Sequence, residues 1–414
     1  RAYWKDGSFK IQTDAERSEM IEYFSDRFEP TPIVAPWNGG SGFHPGDNNA
    51  ALKRITSSSL PRLAPYRNTI AEEYEKVRVH RARQKAEKAF LPIQEARKNG
   101  LKLDWENYTP PTPTFTGTKV FEGYDLAELK DFIDWTPFFS SWGLAGKFPA
   151  ILEDEVVGEE ATTLYQEAQS MLAQMVRENW VTAKGIIGFW PANSVVANDM
   201  IEVYADAART QVQSELYHIR QQSKKAKGRP NQSLTDYIAP KSSQVEDYIG
   251  AFAVTAGIGL GAHVERFEAA GDDYAAIMLK ALADRLAEAF AERMHQRVRT
   301  EFWGYVPEEG LNNEDLIAEK YKGIRPAPGY PACPEHTEKE EIWSLMKVEE
   351  RTGIQLTESM AMYPASSVSG WYFSHPEAKY FTVRGIKPDQ EADYAERKGW
   401  DQETAERWLA PIRG

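Results

Sequence analysis

The sequence contains a single cysteine, Cys333, in 414 residues. No intrachain disulfide can form, and the chain suits a reducing compartment. No apolar run approaches the roughly 20 residues that a membrane-spanning helix needs. The start, Arg1-Ala-Tyr-Trp-Lys-Asp6, has no apolar segment of the kind a signal peptide carries. A cytoplasmic protein with no membrane partner is the expectation. An excess of positive charge is also missing: 49 Lys and Arg stand against 62 Asp and Glu, a net charge of −13. That balance excludes a surface devoted as a whole to nucleic acid. The seven histidines are scattered, without an HxxxH or CxxC spacing, so no metal site is expected.

Regular strand–helix alternation and internal repeats are lacking too. Strand-like and helix-like segments are interspersed, which predicts an α+β fold with mixed helices around a mainly antiparallel sheet. The length calls for more than one unit. Residues 1–70 read as a small N-terminal appendage, with a short strand over Phe9–Ile11, a helix from Asp14 to Phe28 and a glycine-rich turn, Pro36–Phe43. Residues 71–103 read as a basic helical linker: between Lys76 and Lys98 there are eight Lys or Arg against two Glu. Asn107–Phe115, rich in proline, reads as an extended spacer.

The main unit, 104–414, is dense in elements. Helices are predicted over Leu126–Phe132, Glu159–Asn179 and Tyr274–Trp303. In the last, Leu282, Leu286, Phe290, Met294, Val298 and Phe302 recur every four residues beside an acidic stripe of Asp284, Glu288 and Glu292. Strands are predicted at Gly185–Trp190 and Met200–Tyr204, bracketing a turn at Pro191–Asn193, and at Tyr248–Thr255, Trp371–Phe373 and Lys379–Val383. Thr255-Ala-Gly-Ile-Gly-Leu-Gly261 has the spacing GxGxG, not GxGxxG, and reads as a strand-to-helix turn.

The stretch Arg325-Pro-Ala-Pro-Gly-Tyr-Pro-Ala-Cys-Pro-Glu-His336 has four prolines in twelve residues. It can be neither a helix interior nor a central strand, because proline lacks the N–H that both require. Two roles fit the residues alone. One is a cradle, stiffened before binding, whose Arg325 fork and Tyr330 face suit a small zwitterionic or planar ligand. The other is a stiff crossover whose arginine caps a helix. Cys333, three residues from His336, reads as a structural thiol.

Several long segments resemble one family. They are Ile133-Asp-Trp-Thr-Pro-Phe-Phe139, Ile151–Gly158, Asp247–Thr255, Lys280–Glu292, Gly323–Lys339 and Ser369-Gly-Trp-Tyr-Phe-Ser-His-Pro376. From about Glu72 onward the chain is similar to the C-terminal activation domain of cobalamin-dependent methionine synthase. The resemblance implies a site for S-adenosylmethionine, used to remethylate cobalamin that has been oxidised to cob(II)alamin. The cobalamin is supplied by another module, and flavodoxin or another reductase delivers one electron. It implies ligand contacts at Asp134, Arg325, Tyr380 and Phe381, the backbone of Ala327, and the carboxylates Glu288 and Glu319 nearby. Phe381 stands where the family pattern has a second tyrosine, so its contact is expected through backbone or ring. Tyr330 and His336 are expected to face the corrin. No DxHxxG stretch that could ligate cobalt is present, so the chain is not expected to make methionine alone. Residues 1–70 resemble instead a fragment of a large-subunit family of CRISPR effector complexes, which keeps a nucleic-acid-associated role as the rival reading. Titration separates the two: S-adenosylmethionine is expected to bind and single-stranded RNA to give no heat, and the reverse result would favour the rival.

Overall fold

The computed structural model describes residues 4–5, 8–9 and 90–413. The chain divides into two compact units, Arg1–Lys88 and Ala89–Gly414. In the first, β1 (Trp4–Lys5) pairs antiparallel with β2 (Ser8–Phe9). The helix expected at Asp14–Phe28, the glycine turn at Pro36–Phe43 and most of the basic linker lie outside the described residues.

The second unit is built on β3 (Gly117–Tyr124), β4 (Thr182–Val195), β5 (Met200–Tyr204), β6 (Val212–Tyr217), β7 (Asp247–Ile258) and β10 (Ser367–Tyr372), with β8 (Gln355–Leu356) and β9 (Met362–Tyr363) forming a separate pair. The main sheet runs β10-β7-β4-β5-β6, with β3 also on β4. Every pairing in it is antiparallel. The helices are α1 (Ile93–Lys98), α2 (Leu126–Leu129), α3 (Thr136–Ser141), α4 (Gly158–Glu178), α5 (Leu260–Ala269), α6 (Asp273–Arg297), α7 (Asn313–Ile317), α8 (Glu338–Met346), α9 (Val348–Thr352), α10 (Pro388–Lys398) and α11 (Gln402–Leu409). The expected α+β class is the one observed.

Strand β7 is apolar at nearly every position because the sheet is covered on both faces. Tyr248, Phe252, Val254 and Ala256 join one core with α3, α4 and α6. The intervening Ile249, Ala251 and Ala253 join a second core with α8 and α9. Helix α4 starts where Asp154 accepts from the N–H groups of Val156 and Val157, and ends at Asn179 in the left-handed conformation. Its buried Ala161, Leu164, Ala168, Leu172 and Met175 follow the helical period.

Three expectations are corrected. Pro191–Asn193 is not a turn, because β4 continues through it to Val195. Partner β3 ends at Phe189 and partner β5 begins at Ala192, so Pro191 lies where β4 has a neighbour, β7, on one edge only. A missing N–H is tolerated at such a break in the ladder. Lys379–Val383 forms no strand. The stretch Asn107–Phe115 is extended but is tied down: Trp303 Nε1 donates to the Pro111 carbonyl (2.8 Å) and Thr114 N to the Phe302 carbonyl (3.0 Å).

The end of the expected linker is likewise packed into the second unit. Ile93 and Ala96 are buried. Arg97 donates through Nη1 and Nη2 to Asp393 (3.0 and 2.7 Å) and through Nε to Asp199 (2.9 Å). Removing residues 1–88 is therefore expected to leave the thermal unfolding of the remainder unchanged. Arg97→Met takes one of two arginine partners from each of Asp199 and Asp393, which keep Arg220 and Arg397, and is expected to cost about 1–3 kcal/mol in urea unfolding. A truncated chain that loses its cooperative transition, or an Arg97→Met protein as stable as the parent, would contradict this placement.

Candidate functional site

The proline-rich loop is held against the free edge of the sheet. Ile324 and Phe373 exchange backbone hydrogen bonds (3.0 Å each), and Trp371 N donates to the Pro326 carbonyl (2.9 Å). The approach is close enough that a Cβ at Gly370 would sit 2.7 Å from that carbonyl. Beyond Pro326 two tight turns follow, closed by Tyr330 N to the Ala327 carbonyl (3.1 Å) and Cys333 N to the Tyr330 carbonyl (2.9 Å). Gly329 has φ +95°, the conformation that glycine after proline supplies in a type II turn.

Between the two pinned residues, Arg325 crosses to α6. Its Nη1 and Nη2 meet Glu292 Oε1 and Oε2 at 3.2 and 2.6 Å. Nη1 also reaches His295 Nδ1 (3.2 Å) and the Tyr321 hydroxyl (3.0 Å). The side chain is 18% exposed and that of Glu292 10%. Burial next to a carboxylate keeps the guanidinium charged, since Glu292 outweighs the cost of desolvation. Arginine can only donate, so His295 Nδ1 must carry a lone pair and the ring is neutral. Burial, with the charges of Arg299 and Arg325, holds its pKa well below the ordinary value. His295 Nε2 is 3.5 Å from the Tyr305 hydroxyl.

A second buried pair lies behind the first. Arg299 Nε and Nη2 each stand 2.7 Å from a Glu309 oxygen. The ring of Tyr321 is flanked by both arginines, with its centroid 4.4 Å from the guanidinium carbon of Arg299 and 5.8 Å from that of Arg325. Tyr372 stacks on His295 (5.3 Å, 19°), and its buried hydroxyl has no partner among the described residues.

The expected site residues fall into groups. Tyr380 joins Arg325 directly, its hydroxyl accepting from Arg325 N (3.0 Å) and lying 3.4 Å from that of Tyr321. Ala327 lends its carbonyl to the first turn. Tyr330 is 61% exposed as a residue, while partial desolvation of its hydroxyl and the nearby Glu288 carboxylate push its phenol up. His336 packs against Gly329 and lies 3.3 Å from Lys339 Nζ. Burial and that ammonium lower its pKa. Glu319 is exposed, with φ +53°, two residues before Tyr321. Asp134 accepts from Thr136 N (3.0 Å) at the start of α3. It has no bond to Arg325, but its neighbour Ile133 accepts from Asn313 of α7 (3.4 Å), on the segment that leads to Glu319. Phe381 packs between the second core and the C-terminal helices, so its ring is committed to packing. Sequence reading placed Glu292 in an acidic stripe with Asp284 and Glu288 and passed over Tyr321, His295, Arg299 and Glu309. Glu292, His295 and Arg299 stand at helical spacing, the one signal that joins them.

The glycine turn Gly257–Gly261 leads from β7 into α5, as expected. It lines a surface cleft of about 510 Å³ whose cations are engaged: Lys184 with Glu122 (3.0 Å) and Arg351 with Thr118. A larger cleft, about 660 Å³, is lined by Trp142, Val156, Glu160 and Tyr274. No residue of the Arg325 cluster lines either cleft. Among the described residues no group of three or more His, Cys, Asp or Glu could hold a metal ion, and no helix is long and apolar enough to cross a membrane.

The loop geometry has a direct consequence for Gly329. A Cβ there would overlap the His336 ring in a backbone conformation that L-residues avoid. Gly329→Ala is expected to lower stability by about 1–3 kcal/mol in urea unfolding, and an unchanged midpoint would show that the turn yields.

Comparison with known proteins agrees with this architecture. Residues 125–399 match the family model described as vitamin B12 dependent methionine synthase, activation domain. Among solved structures, the MetH reactivation domain bound to AdoHcy is 54% identical, with a TM-score of 0.76 over 78% of this chain and 99% of that one. The matched residues contain the whole Arg325 cluster, and the chain belongs to the family of vitamin B12 dependent methionine synthase activation domains.

Proposed function

We propose that residues 104–414 bind S-adenosylmethionine at the Arg325 cluster and support the reductive remethylation of cob(II)alamin carried by the cobalamin-binding module of methionine synthase. Flavodoxin or another reductase would deliver the electron. The observation that carries the reading is Arg325: a largely buried guanidinium held by Glu292, beside the hydroxyls of Tyr321 and Tyr380, in a chain 54% identical to a reactivation domain solved with AdoHcy.

The residues present fit such a ligand. S-adenosylmethionine carries a carboxylate, an ammonium, a sulfonium and a flat adenine. Arg325 would take the carboxylate, aided by the Ala327 backbone N–H. Asp134, with one carboxylate oxygen engaged by Thr136 N, would take the ammonium. Tyr380 offers an aromatic face, and Phe381, its ring committed to packing, would contribute through its backbone. Glu288 and Glu319, both exposed, place negative charge near the cationic ligand. Bound there, S-adenosylmethionine supplies a methyl group activated by its sulfonium, for which cobalamin is the acceptor. The protein's part is to bind, orient and exclude water, because the thioether that departs is neutral and needs no proton. Tyr330 and His336, further along the same loop, would face the corrin.

Arg325→Ala is expected to weaken S-adenosylmethionine binding by about 2–4 kcal/mol in calorimetric titration. Tyr330→Phe is expected to slow methylation more than it weakens binding. The assay mixes the chain with a separate cob(II)alamin-loaded domain and reduced flavodoxin and follows methylcobalamin absorbance. Equal rates with and without the chain would overturn the proposal.

A further inference from the structure

Arginine has five N–H groups and two flat edges on which a carboxylate can lie. In Arg325 the outer edge is taken. Glu292 receives one hydrogen from Nη1 and one from Nη2, and the second hydrogen of Nη1 points to His295 Nδ1 and the Tyr321 hydroxyl. Two parallel N–H groups remain, that of Nε and the second of Nη2, and among the described residues no acceptor meets Nε. They form the inner edge of the same guanidinium.

We propose that Glu292 is a positioning residue for ligand recognition: it holds the outer edge of Arg325 so that the inner, Nε/Nη2 edge meets the carboxylate of the ligand, and Arg325 bridges the two carboxylates. This rests on the S-adenosylmethionine reading above and adds the residue on which Arg325 depends.

Three observations support it. The pair is bidentate, which fixes the plane of the guanidinium as well as its place. His295 and Tyr321 accept only from Nη1, and so block rotation without using the inner edge. Both are themselves locked, His295 between Tyr372 and Tyr321 and Tyr321 against Arg299. The opposite role, in which Glu292 competes with the ligand for Arg325, predicts the opposite sign on its removal.

The test titrates wild-type chain and Glu292→Gln with S-adenosylhomocysteine and with 5′-methylthioadenosine, which keeps the adenosine and thioether but has no carboxylate. Glu292→Gln is expected to bind S-adenosylhomocysteine about tenfold or more weakly, the scale of one displaced charged hydrogen bond, and to bind 5′-methylthioadenosine as the wild type does. Tighter binding of S-adenosylhomocysteine would make Glu292 a competitor and overturn the proposal. Equal weakening toward both ligands would reduce Glu292 to a structural role, and no change toward either would remove it from recognition. If Glu292→Gln does not fold, Glu292→Asp, which keeps the charge but draws it back, is read by the same comparison. A wild-type chain that fails to bind S-adenosylhomocysteine would sink the underlying reading itself, and so the two failures are distinct.

Discussion

The pairing of Ile324 and Pro326 with the exposed edge of β10 sets the rest of the site. A sheet edge offers unpaired N–H and carbonyl groups, and this one is closed by a segment that proline makes unable to extend into a further strand. Side chains alternate along the paired segment. Ile324 goes into the second core, and Arg325, the next residue, goes to α6. The position of the guanidinium is thus fixed from two sides, by a sheet edge beneath its backbone and by a long helix beyond its tip.

Electrostatics in this region serve placement more than stability. Two arginine–glutamate pairs, Arg325–Glu292 and Arg299–Glu309, stand beside one tyrosine ring. Replacing buried ion pairs by apolar residues of similar volume is often neutral for folding. What apolar residues could not supply is a charged plane held at one angle. The neutral His295 belongs to the same arrangement, because a protonated ring would turn a donor toward Arg325 where an acceptor is required.

Much of this was legible in the sequence. The α+β class, the long helices and the glycine turn between β7 and α5 follow from periodicity and turn chemistry. The acidic stripe of Asp284, Glu288 and Glu292 divides because a four-residue spacing is not a helical period. At 3.6 residues per turn, each step of four advances about 40° around the helix. Asp284 and Glu288 therefore stay exposed, and Glu292 has rotated into the interior. Pro191 was misread because its tolerance depends on which strands neighbour β4, information that local sequence does not hold. Tyr321 and Glu309 carry no local signal at all: their roles exist only once α6 and the loop after it are brought together.

Cys333 shares the loop with Arg325, and its thiol is buried and held well above its usual pKa by desolvation and by Glu338 and Glu335. The nucleophile in cysteine chemistry is the thiolate. On the function proposed above, this loop would hold a sulfonium-activated methyl group, an alkylating agent, and a reactive sulfur there would be methylated in place of the intended acceptor. Burial leaves this one protonated and out of reach, so the chain could carry its single sulfhydryl next to such an electrophile without becoming its own substrate.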